Sequence, residues 1–432
     1  MATDYALDFS PAPSLTRLWL PVAGFLALMG LVFVGLDAFS PPAAVASFGG
    51  VVEAAGGDTL RQIAYLVAAF LIFLAAIQRH GWGALGAVPA SMLLLLAWCL
   101  ASAFWAAEPG IVLRRAGLEV IIVGALFLSV DTLGAERAFR IWRWVLAAVL
   151  LVNFLSIPVI ASARHLSGEA DTALIGDWRG LYGHKNIAGA VCAMTAILFL
   201  FSRNGWRNWG GILIALAACV FLYFTHSKSS AGFLPLAVLA GLLYRSGWRD
   251  GLSRAILTVI LALLTIALAA FVLIDAAAIV HVLEDPTEFT GRAAIWAAEI
   301  AYIRDHPLLG AGFGTFTATG GLSPLHDYVS GSWVEAVSHG HNGYLQLLVT
   351  IGGVGFLLAI LALVIVPIRR FWTLDMEGDG FRPMLFALFT FFLMHNFMES
   401  DFLEGDGVTW AGLLLVVAAL HRPGQRYSLR RG

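Results

Sequence analysis

The chain is a succession of long apolar runs separated by short polar connectors, and inside the runs polar and apolar residues do not alternate. A hydrocarbon core of about 30 Å takes about 20 apolar residues as α-helix. Runs of that order occur at 18–36, 60–78, 86–106, 111–130, 141–160, 186–202, 210–225, 230–245, 255–275, 343–366, 382–398 and 407–421. They predict an all-α polytopic membrane protein with about twelve transmembrane helices, since strands of a membrane barrel would alternate. The runs at 210–225 and 230–245 are short and crowded, so the count holds to within one. The run 18–36 follows a polar start with few basic residues and precedes no small-residue cleavage site, and it reads as an uncleaved signal anchor. The longest connection, 276–342, is expected to contain a short helix from Ala293 to Ile303. Thr290 would cap it, Ile295, Trp296, Ile300 and Ile303 would form its apolar side, and Pro307 would stop it. The stretch Gly310-Ala311-Gly312-Phe313-Gly314 then suits a tight turn packed on the bundle.

Composition agrees with the pattern. Of 432 residues, 59% are hydrophobic and 12% charged, with a mean hydropathy of +0.83. Soluble domains carry about 25% charged residues. No polar stretch exceeds about 70 residues, near the lower end of domain size, so residues 1–432 are expected to form one transmembrane domain. Cys99, Cys192 and Cys219 all lie in apolar runs and read as small core residues.

Charge sorts the connectors into two sides. With both termini cytoplasmic, one side carries seventeen basic residues, all arginine, against eight acids. The other carries nine basic residues against twenty acids. By the positive-inside rule the first side is cytoplasmic. The outward side then holds the only two lysines, Lys185 and Lys228, together with Gly180-Leu181-Tyr182-Gly183-His184-Lys185-Asn186, His226-Ser227-Lys228-Ser229-Ser230, the 276–342 loop and its end, Ser338-His339-Gly340-His341-Asn342.

Ionisable groups at a membrane boundary are costly and tend to mark function, and histidine exchanges protons near neutral pH. His339 and His341, with Asn342 beside them, are therefore the candidates for chemistry; for His341 the alternative is a histidine satisfied by a backbone carbonyl. Arg292 opens the loop helix, where a cation is unfavourable unless it meets an anion; a helix N-terminus with a guanidinium suits phosphate. Its alternative is an arginine reaching lipid headgroups. For Arg179 the alternative is a loop pair with Asp177 or Glu169, and for Arg114 and Arg115 it is interfacial anchoring. For Lys185 and Asn186 it is headgroup contact, and for Lys228 a polar hairpin turn. A metal at His339 and His341 with Glu335, Asp401 or Glu404 is disfavoured, because no zinc-ligand spacing is present. The glycine-rich stretch lacks the strand-then-helix context of a phosphate loop.

In this order the motifs resemble the O-antigen ligase and Wzy-type polymerase superfamily of bacterial membrane glycosyltransferases. The matching pieces begin with Ser102-Ala103-Phe104-Trp105-Ala106-Ala107-Glu108-Pro109, Leu113-Arg114-Arg115 and Arg179 to Asn186. They continue through Ser227-Lys228-Ser229-Ser230, Gly291-Arg292 with Trp296, and Pro307 to Gly312, and end at His341-Asn342-Gly343-Tyr344-Leu345 with Gly352 and Gly355. The resemblance covers residues 100–400 and is nearest to the ExoQ-like polymerase branch. It implies a GT-C-type bundle with one long periplasmic loop, in the bacterial inner membrane and active on the periplasmic face. It also implies an undecaprenyl-diphosphate-linked glycan donor, a glycan or lipid A–core acceptor, inversion, and no metal or other cofactor. Arg292 and Arg179 would hold the diphosphate and His341 would be the base or the residue that orients the acceptor. His339, Asn342, Lys185, Asn186, Lys228, Arg114 and Arg115 would contact substrate, with Trp178, Tyr182, Trp333 and Tyr344 available to stack on sugars. Membrane lipids and polysaccharide-assembly proteins are the expected partners, and nucleic acid is not. A transporter would concentrate ionisable groups and broken helices near the bilayer midplane, within repeats; here they lie at helix ends and no repeat relates the halves.

Overall fold

A computed structural model describes residues 15–39, 59–167, 174–201, 209–247, 292–317, 323–329, 340–373 and 380–421. Among these residues the chain is helical and contains no strand, only an isolated bridge between Arg164 and Trp178. In order, the α-helices are α1 (Leu15–Phe33), α2 (Thr59–His80), α3 (Ala90–Ala101), α4 (Pro109–Leu133), α5 (Ala135–Ser156), α6 (Lys185–Leu200), α7 (Trp209–Thr225), α8 (Lys228–Gly247), α9 (Arg292–Asp305), α10 (Gly343–Ile360), α11 (Val366–Thr373), α12 (Phe381–His395) and α13 (Val408–His421). Each apolar run expected to span the membrane coincides with one of them, except 255–275, which lies outside the described residues. Among the described residues, three stretches are by themselves long and apolar enough to cross a membrane: Thr59–Ala87, Ala135–Ser156 and Gly343–Thr373. The others are shorter or carry more charge. The chain is a helical membrane protein.

Helix α13 is the axis of the bundle. Its residues from Val408 to Leu420 are all buried, as expected of a helix that is hydrophobic all round, and α1, α4, α6, α11 and α12 pack around it. The outer helices turn large apolar side chains away from this core, among them Leu66, Phe70, Leu155, Leu213, Leu239 and Leu357. Soluble monomers rarely expose contiguous apolar surface of this extent; in lipid it is the favoured exterior.

Helix α10 is broken. Gly352 has φ +67° within it, and a Cβ there would stand 2.2 Å from the Leu308 carbonyl oxygen. The glycine-rich segment, packed on the bundle as expected, closes the gap. Ala311 and Gly312 donate to the Val349 and Thr350 carbonyls at 2.9 Å each, while the Gly353 and Val354 amides donate to Pro307 and Leu308. The Trp98 indole donates to the Ile351 carbonyl. Helix α9 matches the expected loop helix and ends just before Pro307, with Ile295 and Trp296 buried and Ile300 and Ile303 half-buried; its expected cap, Thr290, lies outside the described residues. Ile295, Tyr302, Phe316, Leu325 and Val349 form the small core that fastens α9 to α10.

The connectors assigned to the outward side converge at one end of the bundle. Phe39 donates to the Leu181 carbonyl, the Gly343 amide to the Asn396 and Glu399 carbonyls, and the Gly405 amide to the Glu119 carboxylate.

Candidate functional site

At that end, the connection between α12 and α13 carries Glu399. Its carboxylate gathers three of the predicted site residues: Oε1 accepts from Arg292 Nη2 at 2.9 Å and from Asn186 Nδ2 at 2.7 Å, while Oε2 lies 3.2 Å from His341 Nδ1. Arg292 also donates to the Met398 carbonyl. Burial raises the cost of charge on Glu399, but the hydrogen bond from His341 and the charge of Arg292 outweigh it and hold the carboxyl down at about 2. A carboxylate only accepts, so His341 donates from Nδ1–H, and its Nε2 is left as the acceptor.

The turn that presents His341 is tightly specified. His341 has φ +53°, a conformation costly for a residue with a Cβ. Gly340 precedes it because a Cβ there would stand 2.0 Å from Glu299 Oε1. The Trp296 indole donates to the Gly340 carbonyl at 2.9 Å, so α9 supports the turn from below. Glu299 is itself fully buried, neither carboxyl oxygen has a hydrogen-bond partner among the described residues, and burial pushes its pKa up to about 8. Asn342 caps α10: its Oδ1 accepts from the Tyr344 and Leu345 amides, and its Nδ2 donates to the Phe397 carbonyl.

The Gly183-His184-Lys185-Asn186 segment forms the facing wall. His184 caps α6 by accepting from the Asn186 amide, and burial beside His165 lowers its pKa to about 4, which keeps it neutral. Lys185 binds Asp177 at 2.6 Å, and His226 binds the other oxygen of the same carboxylate. Burial opposes charge on Asp177, yet these two partners hold its pKa below the ordinary value. Asp177 is thus paired with Lys185 and His226, not with Arg179. Arg179 is fully buried; its Nε donates to the Ser162 carbonyl at 2.7 Å and its Nη1 to the Gly183 carbonyl at 3.1 Å. It therefore supports the segment from beneath.

A cavity of about 770 Å³ joins these walls. His341, His184, Asn186 and Glu399 line it, as do Asp37, Arg61, Tyr65, His395, Asp401, Glu404 and Asp406. Arg292 meets it through Glu399. Lys228 is exposed at the start of α8, and Arg114 is exposed on α4, both outside the cavity lining. Arg115 donates to the Gly314 carbonyl and holds the glycine-rich segment. His339 lies outside the described residues.

Three groups in the cavity wall were not singled out from sequence. Glu399 is the first. The second is a buried chain in which Asp401 Oδ2 meets His395 Nδ1 at 2.6 Å and His395 Nε2 meets Ser230 Oγ at 3.2 Å, with Thr409 donating to the other Asp401 oxygen. The third is Arg61 with Asp406 and Tyr65. The signal in the sequence is the string of carboxylates 399–406 between two apolar runs, of which Asp401 and Glu404 stand in the sequence reading only as disfavoured metal ligands.

Residues 212–360 match the family model described as O-antigen ligase. The matched region runs from within α7 to the end of α10 and contains Lys228, Arg292, His341 and Asn342. No curated protein matches the chain. The family implies a membrane glycosyltransferase of the ligase or polymerase type, with a lipid-linked glycan donor and a glycan acceptor. The match, together with the helical membrane architecture around it, supports an O-antigen ligase/Wzy-type family for this chain.

Proposed function

We infer that the protein is an inverting glycosyltransferase that needs no metal and moves a preassembled glycan from undecaprenyl diphosphate to an acceptor sugar hydroxyl. It has twelve spans in a GT-C-type bundle in the bacterial inner membrane, both termini in the cytoplasm and the cavity toward the periplasm. The observation that carries this reading is the Glu399 carboxylate, which holds His341, Arg292 and Asn186 together at a cavity large enough for sugars.

In this reading His341 Nε2 takes the proton of the acceptor hydroxyl as its oxygen attacks the anomeric carbon. The bond from that carbon to the diphosphate oxygen breaks on the opposite face, and the diphosphate leaves with the bonding electrons. Glu399 fixes the imidazole through Nδ1 and stabilises the imidazolium that forms, the arrangement in which a base is oriented by a third group. Charge grows on the leaving diphosphate, and fixed donors in a low-dielectric site stabilise such charge by about 2.7–4 kcal/mol each. Arg292, which meets the cavity through Glu399, takes this role. Arg179 acts from beneath the Gly183–Asn186 wall it supports. A positioned base contributes roughly 10²–10⁴-fold.

The polymerase is the favoured form, its acceptor another lipid-linked repeat unit. The description of the matched family supports the second reading, a ligase that attaches the glycan to lipid A–core. The purified full-length protein with lipid-linked donor and acceptor is expected to form the glycosidic bond in EDTA. Full activity in both His341→Ala and Arg292→Ala would sink the site assignment. In a deletion strain, accumulation of single lipid-linked units marks a lost polymerase, and long unattached chains mark a lost ligase.

A further inference from the structure

The cavity has one lining arginine among the described residues, and it is neither of the arginines assigned to the diphosphate. Arg61, in the first turn of α2, is half exposed and donates from Nε at 2.9 Å and from Nη2 to the two oxygens of Asp406. Tyr65, one turn further along α2 and buried, donates its hydroxyl to Asp406 at 2.7 Å. Asp406 is therefore fixed from two sides, and it fixes Arg61 in turn. The exposed Asp37, on the connection after α1, lies within electrostatic range of the same guanidinium and lines the same cavity.

Arg61 gives both Nε and Nη2 to the two oxygens of Asp406, whereas Arg292 gives a single bond to a Glu399 oxygen, so Asp406 takes up the edge with which Arg61 would clasp a phosphate and offsets its charge. The same pair is a good site for hydroxyls. It offers guanidinium N–H donors and carboxylate acceptors side by side at fixed positions, and a sugar hydroxyl both donates and accepts. Asp37, within electrostatic range of Arg61, places a further carboxylate beside the pair and repels an anion at that point of the cavity wall.

We propose that Arg61 and Asp406, held by Tyr65, form the subsite for the acceptor ring that bears the attacking hydroxyl, and that it takes an uncharged, hydroxyl-rich ring in preference to a phosphorylated one; the diphosphate of a lipid-linked acceptor lies at the other end of its glycan. This rests on the glycosyltransferase reading and assigns it an acceptor class. Of the two forms, it favours a glycan acceptor over a phosphate-bearing lipid A–core.

The test uses full-length protein in nanodiscs. The donor is lipid-linked repeat units extracted from a strain lacking the protein, and product formed by condensation of these units with one another, measured without added acceptor, is subtracted. The acceptors are the oligosaccharide released from those units by mild acid, the same oligosaccharide enzymatically monophosphorylated, and purified lipid A–core. The wild type is expected to use the unphosphorylated acceptor with the lowest KM. Arg61→Gln and Asp406→Asn are each expected to raise that KM about tenfold, with donor KM within twofold of the wild type. Asp37→Asn is expected to narrow the preference against the phosphorylated acceptor. Thermal unfolding of each variant separates a lost contact from a lost fold, and Arg61→Lys, which keeps the charge but not the fork, is the second variant for acceptor KM. An unchanged acceptor KM in folded variants, a rise in donor KM instead, or a wild-type preference for either phosphorylated acceptor would overturn the proposal. Failure of the wild type to form any glycosidic bond with any acceptor would overturn the glycosyltransferase reading itself.

Discussion

Glu399→Gln keeps the shape of the hub and removes its charge. The wild-type carboxyl titrates at about 2 where its ordinary value is 4.5. At about 1.4 kcal/mol per pH unit, this difference amounts to about 3 kcal/mol of folding stability at neutral pH. The native state favours the ionised form, so the contribution is complete above about pH 4.5 and is lost as pH falls toward 2. The stability gap between wild type and Glu399→Gln should therefore be about 3 kcal/mol at pH 7 and shrink to about 2 kcal/mol at pH 3.5. Thermal unfolding in detergent across that range measures it. The catalytic consequence is separate. An amide can turn its NH₂ toward Nδ1 and select the wrong tautomer, and it cannot stabilise an imidazolium, so the single-turnover rate should fall on the order of 10²-fold or more. A rate within threefold of wild type would refute Glu399 as the orienting group. A stability gap that ignores pH would refute its ionised state.

Gly340→Ala drives a methyl into Glu299 Oε1 and should lower the unfolding temperature by several degrees. Glu299→Ala in the same chain should recover much of that loss, a non-additivity read from the double-mutant cycle. Gly352→Ala combines a strained φ with a clash against the Leu308 carbonyl; it should abolish accumulation of folded protein, measured by detergent-stable monodisperse yield. Asp177→Asn leaves the Lys185 ammonium without its carboxylate and should cost on the order of 1–3 kcal/mol. Because the Asp177 carboxyl is held below its ordinary 3.8, its contribution is present above that pH and fades below it, so the variant and the wild type should converge in acid.

Much of the scaffold was legible in the chain. Apolar runs are selected by the bilayer independently of their neighbours, which is why most of the helices lie where the runs do. Pro307 and the glycines after it announce a non-helical segment, and the split of arginines from acids groups together outward connectors that, among the described residues, meet at one end of the bundle. The site was legible only in its members. Glu399 follows His341 by 58 residues along the chain, and nothing local distinguishes it from Asp401 or Glu404; it is selected by the turn after α12, which meets the start of α6 through Asn186 and the start of α10 through the Gly343 amide. Asn342 stood out as a polar residue beside a histidine, but an amide at that position also caps the helix it precedes, and its Oδ1 is used for that. Arg179 was noticed for its charge, whereas its burial and its bonds to two carbonyls are properties of the folded connection.

The splice at Gly352 bears on how the protein is built. In a bilayer an unmet peptide group costs several kcal/mol, and the break in α10 would leave several such groups around residues 349–354. Residues 307–312 and Trp98 supply their partners, so α10 is not a self-sufficient unit of membrane insertion. The groups that complete it all precede it in the chain and must already be in position when it arrives. The helix that carries the candidate base at its mouth is thus assembled by order of synthesis, and a chain whose glycine-rich segment docks late would stall with α10 incompletely inserted.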